Sequence, residues 1–228
     1  MRLFKFVFSI AFVMIVFNQS ILSQVNSNFA SSFSELRKNH FDSFSKMVNV
    51  EGDYFIDKDW SDGIVYFNNN HVIKNVSLRF FIYGNEMHVK NDGVVNKIIN
   101  QNVIDSIVFD GHRFIFTKLH FGNNLIDVYV DFLSGTNIKL YKYYTNKFIK
   151  ARDVSGYQKQ EIDKYIVKRE YYVCVGDAAA ELFTPKKRTI LNLFSDKEEI
   201  IKKFVKRNRL KYTKEDDFIK IFDFYSSL

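Results

Sequence analysis

The chain has one cysteine, Cys174, in 228 residues. A single thiol excludes an intramolecular disulfide framework and any cysteine-cluster zinc site. One proline and nine glycines exclude a collagen-like, linker-rich or low-complexity chain. There is no phosphate-cradling glycine loop, G-x-S-x-G elbow or H-E-x-x-H pair. No stretch reaches the roughly 20 apolar residues that a membrane-spanning helix needs.

What is present is apolar and aromatic. Hydrophobic residues make up 46%, aromatic residues 17% and charged residues 26%, a balance that excludes wholesale disorder. With 25 Phe and 13 Tyr the chain can fill a large core without any ligand. The net charge of +7 is unevenly placed. Residues 25–146 hold 12 basic and 13 acidic side chains, whereas residues 147–228 hold 19 and 13. Attraction for an anionic partner therefore belongs to the carboxyl third, because charge acts locally over about 10 Å.

The amino terminus carries the clearest signal. Arg2 and Lys5 open the chain, and Phe6–Phe17 is apolar except for Ser9. Asn18, Gln19 and Ser20 break the run ahead of the small residue Ser23. This is the order of a secretory signal peptide, and the run is too short to span a bilayer. It implies a soluble exported protein, periplasmic or extracellular, cleaved near Ser23 or Gln24, with no membrane span in the mature chain. Residues 1–24 are read as the signal and 25–50 as a flexible or partly helical leader. Residues 51–175 are read as an antiparallel β-sheet domain, and 176–228 as a helical segment packing on or beside the sheet.

Period-two patterning supports that sheet. Val72, Val76, Leu78, Phe80 and Ile82 fall on one strand face. Met87 and Val89 alternate with Glu86, His88 and Lys90, which places His88 toward solvent. Ile126, Val128, Val130 and Phe132 alternate with Asp127, Tyr129 and Asp131. Between the runs stand Asn68-Asn69-Asn70, Gly84-Asn85, Asn91-Asp92-Gly93, Asp110-Gly111, Gly122-Asn123-Asn124 and Ser134-Gly135-Thr136. These residue types accept the positive φ of tight hairpins. Short loops cannot carry parallel crossovers, so the strands form an antiparallel meander, flat or curled into a partly open barrel or roll. Residues 145–164 read as a polar connector and 165–175 as a further strand.

The tail changes period. Apolar residues recur at helical spacing as Ile190, Leu191 and Phe194, then Ile200, Ile201, Phe204 and Val205, then Phe218, Ile219, Phe222 and Tyr225. Thr184-Pro185, Ser195 with Glu198, and Thr213 with Asp216 are the expected helix starts. The fold class is therefore α+β, mainly β, with about three helices after the sheet.

The sequence resembles an uncharacterised family of exported proteins from Bacteroidota-type Gram-negative bacteria. The resemblance is carried by the signal ending in SQ, GDYFIDKDWSDGIVYF (52–67), VSLRFFIYGNEMHVK (76–90) and KEEIIKKFVKRNRLKYTKEDDFIKIFDFYSSL (197–228). It covers most of the mature chain. It implies export from a Gram-negative cell and no particular chemistry.

Candidate sites are few. Glu51, Asp53, Asp57, Asp59 and Asp62 crowd next to Gly63, but their register misses a calcium loop by one position, and solvated turn carboxylates are the expectation. His112 and His120 lie about 26 Å apart on one extended strand and cannot share a metal. Cys174 sits between valines and reads as a buried, inert thiol. No catalytic residue, metal ligand or cofactor is implied. The concentrated charge feature is Lys202, Lys203, Lys206, Arg207 and Arg209, with Lys211 and Lys214 beyond. It reads as a solvated helix face, or as a contact for a polyanion or an anionic surface. Export disfavours nucleic acid.

Two functions compete. One is a non-catalytic exported binding or envelope-associated module, presenting strand tyrosines such as Tyr129, Tyr141 and Tyr143 to a protein, a glycan or a small apolar ligand. The other is an exported enzyme whose residues converge only in the fold. A concave pocket with convergent, pKa-shifted groups would favour the enzyme.

Overall fold

Asparagine, aspartate and glycine at the strand ends set the hairpins. The computed structural model describes residues 50–151 and 162–228, so the signal (1–24) and nearly all of the leader (25–50) lie outside the described residues. Asn70, Asn85, Asp92 and Asp110 all take positive φ at turns, and Gly93 and Gly111 complete two of them. The strands so joined are β1 (Glu51–Gly52), β2 (Ser61–Phe67), β3 (Val72–Phe81), β4 (Glu86–Asn91), β5 (Val94–Lys97), β6 (Ile104–Phe109), β7 (His112–Phe121), β8 (Asn124–Ser134), β9 (Ile138–Ile149), β10 (Lys164–Val175) and β11 (Glu181–Phe183). The sheet is open, in the order β1-β10-β9-β8-β7-β6-β2-β3-β4-β5, with β11 added on β10. Pairing is antiparallel except for β1 with β10.

The meander is interrupted once. After β5 the chain makes a 3-10 turn at Gln101–Val103 and returns to pair β6 with the outer edge of β2. At its far end the sheet curls. β11 pairs with β10, and Ala180 just before it bridges in parallel to Leu119 of β7. The Ala180 N–H donates to the Lys118 carbonyl, and the His120 N–H donates to the Ala180 carbonyl, both at 2.9 Å. The roll so formed buries Leu119, Val128, Val130, Tyr141, Tyr143, Tyr172, Cys174 and Ala180.

Four strand expectations need correction. The face shared by Val72, Val76, Leu78, Phe80 and Ile82 is broken by a bulge. Gly63 pairs with Val76 but Val65 with Ile73, and Asn75 takes φ 56°. The extra residue switches faces, so Val72 is exposed while Leu78 and Phe80 are buried, as is Ile82 just past the strand end. His88 is buried, not solvent-facing, because the 54–60 segment folds over it: Phe55 bridges to Phe81, whose ring stacks on the imidazole at 5.3 Å. Tyr129 and Asp131 are buried as well. β8 packs the roll on one face and the β3, β6 and β7 aromatics on the other, with Phe80 stacked on Phe114 at 4.5 Å and edge-on to Tyr129. Residues 145–149 are also strand, since β9 pairs with β10 out to Ile149.

The tail forms α1 (Lys187–Leu193), α2 (Glu198–Arg207) and α3 (Glu215–Ser226). Ile190, Leu191, Phe194, Ile201, Val205, Phe218, Ile221 and Phe222 pack on Ile138, Leu140 and Val173 of β9 and β10. Each such side chain, fully buried, contributes about 1.5–3 kcal/mol of gross stabilisation. The helix starts differ from the expected ones. The N-caps are Lys186, Lys197 and Lys214, and Ser195 lies within a 3-10 turn instead. Thr184 serves α1 through its backbone, accepting from the Thr189 hydroxyl at 2.6 Å. Acidic residues in the first turns of α2 and α3 offset the helix dipole in place of hydroxyl caps. No helix among the described residues is long and apolar enough to cross a membrane.

Candidate functional site

Two arrangements stand out, on opposite faces of β7 and β8. The first is a concavity at the mouth of the roll. Alternation along β7 sends Arg113, Ile115 and Thr117 toward it, while β8 supplies Phe132 and β9 supplies Lys139 and Tyr141. The segment leading into β6 adds Gln101 and Asn102, β6 itself adds Asp105, and the β8–β9 turn adds Gly135 and Thr136. The groove holds about 580 Å³ and is open to solvent. Its floor is ring and aliphatic surface, and its rim is amide, hydroxyl and charge. The Arg113 guanidinium lies 5.5 Å above the Phe132 ring and 3.6 Å from Asp105. Gly135, at φ 107°, is required here, because a Cβ would fall 2.0 Å from the Ile138 carbonyl oxygen.

The second is a buried polar chain on the other face. His112 Nδ1 meets Asp131 Oδ2 at 2.7 Å, the Tyr144 hydroxyl donates to the same oxygen at 3.0 Å, and the Arg113 N–H donates to Oδ1 at 3.2 Å. The hydrogen bond to Asp131 raises the His112 pKa despite partial burial. Burial, and then Asp131, push the Tyr144 hydroxyl upward. Next along the chain Lys142 donates to Glu215 Oε1 at 2.6 Å, and the Tyr171 hydroxyl donates to Oε2. Burial pushes the Glu215 carboxyl up, but these bonds more than offset it and hold it below its ordinary value.

At the other end lies Asp57, a member of the expected solvated acid cluster. It is part-buried; burial first, and the neighbouring Asp110 carboxylate second, raise its pKa. Its Oδ2 atom has no hydrogen-bond partner among the described residues. Arg79 holds this loop down. Its guanidinium lies 3.6 Å over the Phe55 ring and 4.5 Å over the Trp60 ring, and it donates to the Lys58 carbonyl at 3.3 Å.

The remaining sequence candidates separate. Glu51, Asp53, Asp59 and Asp62 are exposed. Among the described residues no group of three or more His, Cys, Asp or Glu is placed to hold a metal ion. His120 faces Glu181 at 3.6 Å, apart from His112. Cys174 is buried, its thiol directed at the Gly176 and Ala178 carbonyls at 3.3 and 3.1 Å. Tyr129, Tyr141 and Tyr143 are buried and not presented to solvent; of these only Tyr141 lines the groove. Within the basic run, Lys202 is paired with Glu198 at 2.6 Å and Glu199 at 2.8 Å. Lys203, Lys206, Arg207 and Arg209 are exposed.

Sequence reading missed Arg113, Phe132 and Asp131 as site residues. Strand alternation already put Phe132 opposite Asp131, but nothing local announced that both faces would be covered. A scan against protein-family models, a search of curated proteins and a search of solved structures each returned no match.

Proposed function

We propose that this protein is an exported, non-catalytic binding module whose ligand lies in the groove at the mouth of the roll. The observation that carries this reading is the lining itself. Aromatic floor beside amide, hydroxyl and guanidinium rim suits a glycan segment, which offers apolar ring faces and many hydroxyls. Among the described residues the lining has no histidine, and the acid–base groups of the polar chain belong to the opposite strand face. Export rests on Arg2, Lys5 and the Phe6–Phe17 run, and the family resemblance agrees with a Gram-negative envelope or secreted setting.

The test is titration of the 25–228 protein with a panel of neutral oligosaccharides, followed by heteronuclear NMR. Shifts should concentrate at Arg113, Thr117, Thr136 and Lys139. Arg113→Ala and Asp105→Ala, both at exposed positions, should weaken binding roughly fivefold to tenfold each. Shifts scattered over the surface, or none at millimolar sugar, would remove the proposal.

A second reading, an exported enzyme, is favoured by one feature, the His112–Asp131 pair at 2.7 Å. An imidazole oriented by a buried carboxylate can serve as a general base. Turnover of any substrate abolished by His112→Gln but not by Arg113→Ala would select it over the groove.

A further inference from the structure

Among the described residues, five non-glycine positions in the left-handed region are Asn or Asp, namely Asn70, Asn75, Asn85, Asp92 and Asp110. The sixth is Arg209, at φ 54°. It stands just past the C-cap of α2, where a glycine would fit without strain. The surrounding geometry is that of a Schellman end. The Leu210 N–H donates to the Val205 carbonyl at 3.0 Å, and the Arg209 N–H donates to the Lys206 carbonyl at 3.3 Å. An arginine there carries backbone strain that glycine would relieve.

Arg209 does not stand alone. Lys203, Lys206 and Arg207 share the exposed face of α2 at i, i+3, i+4 spacing. Among the described residues none of the four has an acidic partner within 4 Å, in contrast to Lys202. A cleft of about 480 Å³ adjoins them between α2 and α3, lined by Phe204, Asn208, Leu210, Lys220, Asp223 and Phe224. Asn208 and Leu210 flank Arg209 directly. Asp223 is already engaged by the Ser134 hydroxyl. A helix dipole accounts for cations in the last turn, but not for a strained arginine beyond it or for the cleft.

We infer that the α2 end is a binding site for an anionic polysaccharide, one bearing sulfate or carboxylate groups. Lys203, Lys206, Arg207 and Arg209 meet the charges, and the cleft receives a sugar unit against Asn208 and the stacked Phe204–Phe224 rings, 3.9 Å apart. A lipid surface is flat and would leave the cleft empty. α2 offers it one well-exposed large apolar side chain, Ile200. The site does not depend on the groove of the roll, and Arg113→Ala should leave it unchanged.

The test uses heparin as the probe, with the 25–228 protein, at several salt concentrations. Binding should weaken with salt, and the Lys203→Gln, Lys206→Gln, Arg207→Gln triple variant should lose it, at roughly twofold to fivefold per cation. Arg209→Gly is the deciding variant. It should raise the melting temperature, by roughly 2–4 °C, while weakening heparin binding severalfold. Removing equal charge elsewhere, at Lys74, Lys90 and Lys147, should leave affinity within about twofold. The inference falls if Arg209→Gly keeps wild-type affinity, or if the distant triple variant loses as much as the α2 variant. It also falls if phosphatidylglycerol vesicles or duplex DNA bind this face more tightly than heparin does.

Discussion

His112 Nδ1 and Asp131 Oδ2 are 2.7 Å apart, and Asp131 is almost fully buried. The pair joins the start of β7 to the middle of β8 and anchors a polar chain through a region otherwise filled with rings. Asp131→Asn leaves the imidazole beside a weaker acceptor. We expect a loss of about 3 kcal/mol near pH 6, read from urea denaturation midpoints. Because the folded pKa of His112 is raised, its contribution is complete below about pH 6.5 and disappears as pH climbs through the folded value. The penalty of Asp131→Asn should therefore shrink at alkaline pH. A penalty that stays constant from pH 5 to about pH 9 would contradict this assignment.

Asp57 also loses stability as pH rises, but its substitution acts with the opposite sign. A carboxyl whose pKa is raised by burial and by Asp110 holds its proton more tightly when folded, so stability declines as pH rises through the folded value. Asp57→Asn should stabilise the protein at pH 7 by roughly 0.5–1 kcal/mol. It should change little near pH 3, where the group is neutral in both states. Thermal melts at the two pH values distinguish the outcomes; destabilisation at neutral pH would rule out carboxyl–carboxyl repulsion.

Glu215 ties α3 to the sheet through Lys142 and Tyr171. Its lowered pKa gives stability present above about pH 4.3 and lost as pH falls through the folded value. Glu215→Gln leaves the buried Lys142 ammonium with a neutral partner and should cost about 2–3 kcal/mol at pH 7. The double variant Lys142→Met, Glu215→Leu should recover most of that loss. No recovery in chemical denaturation would mean that α3 is held by this pair's geometry and not by the cancellation of its charges.

Cys174 should resist modification. Its thiol is buried and aimed at two carbonyls, so a maleimide reagent should label the unfolded protein at once and the native protein only at its opening rate. Fast native labelling would place the sulfur at the surface.

The hairpins were legible because their cause is local. A positive φ at Asn85, Asp92 or Asp110 is a property of two or three neighbouring residues. The three helices were legible for the same reason, from the spacing of Phe194, Val205 and Phe222. The extra residue at Asn75 was not, since a bulge is defined by the partner strand. Nor was the return of β6 to β2, or the burial of His88 beneath Phe55. Alternation on β8 was read as one wet face, which fails where a sheet curls and both faces meet protein. The polar chain lay furthest from view. Asp57, His112, Asp131, Tyr144 and Glu215 come from a loop, three strands and a helix, and only tertiary folding assembles them. The groove follows the same logic, with Asn102 and Thr136 brought to Arg113 by the curl.

The bridge between Ala180 and Leu119 sets a timetable. β7 to β10 can pair as successive neighbours, each soon after it is made, but the bridge back to β7 waits for Ala180, five residues past the end of β10. A nascent chain stopped short of Ala180 would leave Tyr143, Tyr172 and Cys174 wet, exposing a sticky interior to other chains. The interior of the roll is thus hidden only once the chain has run past its last long strand.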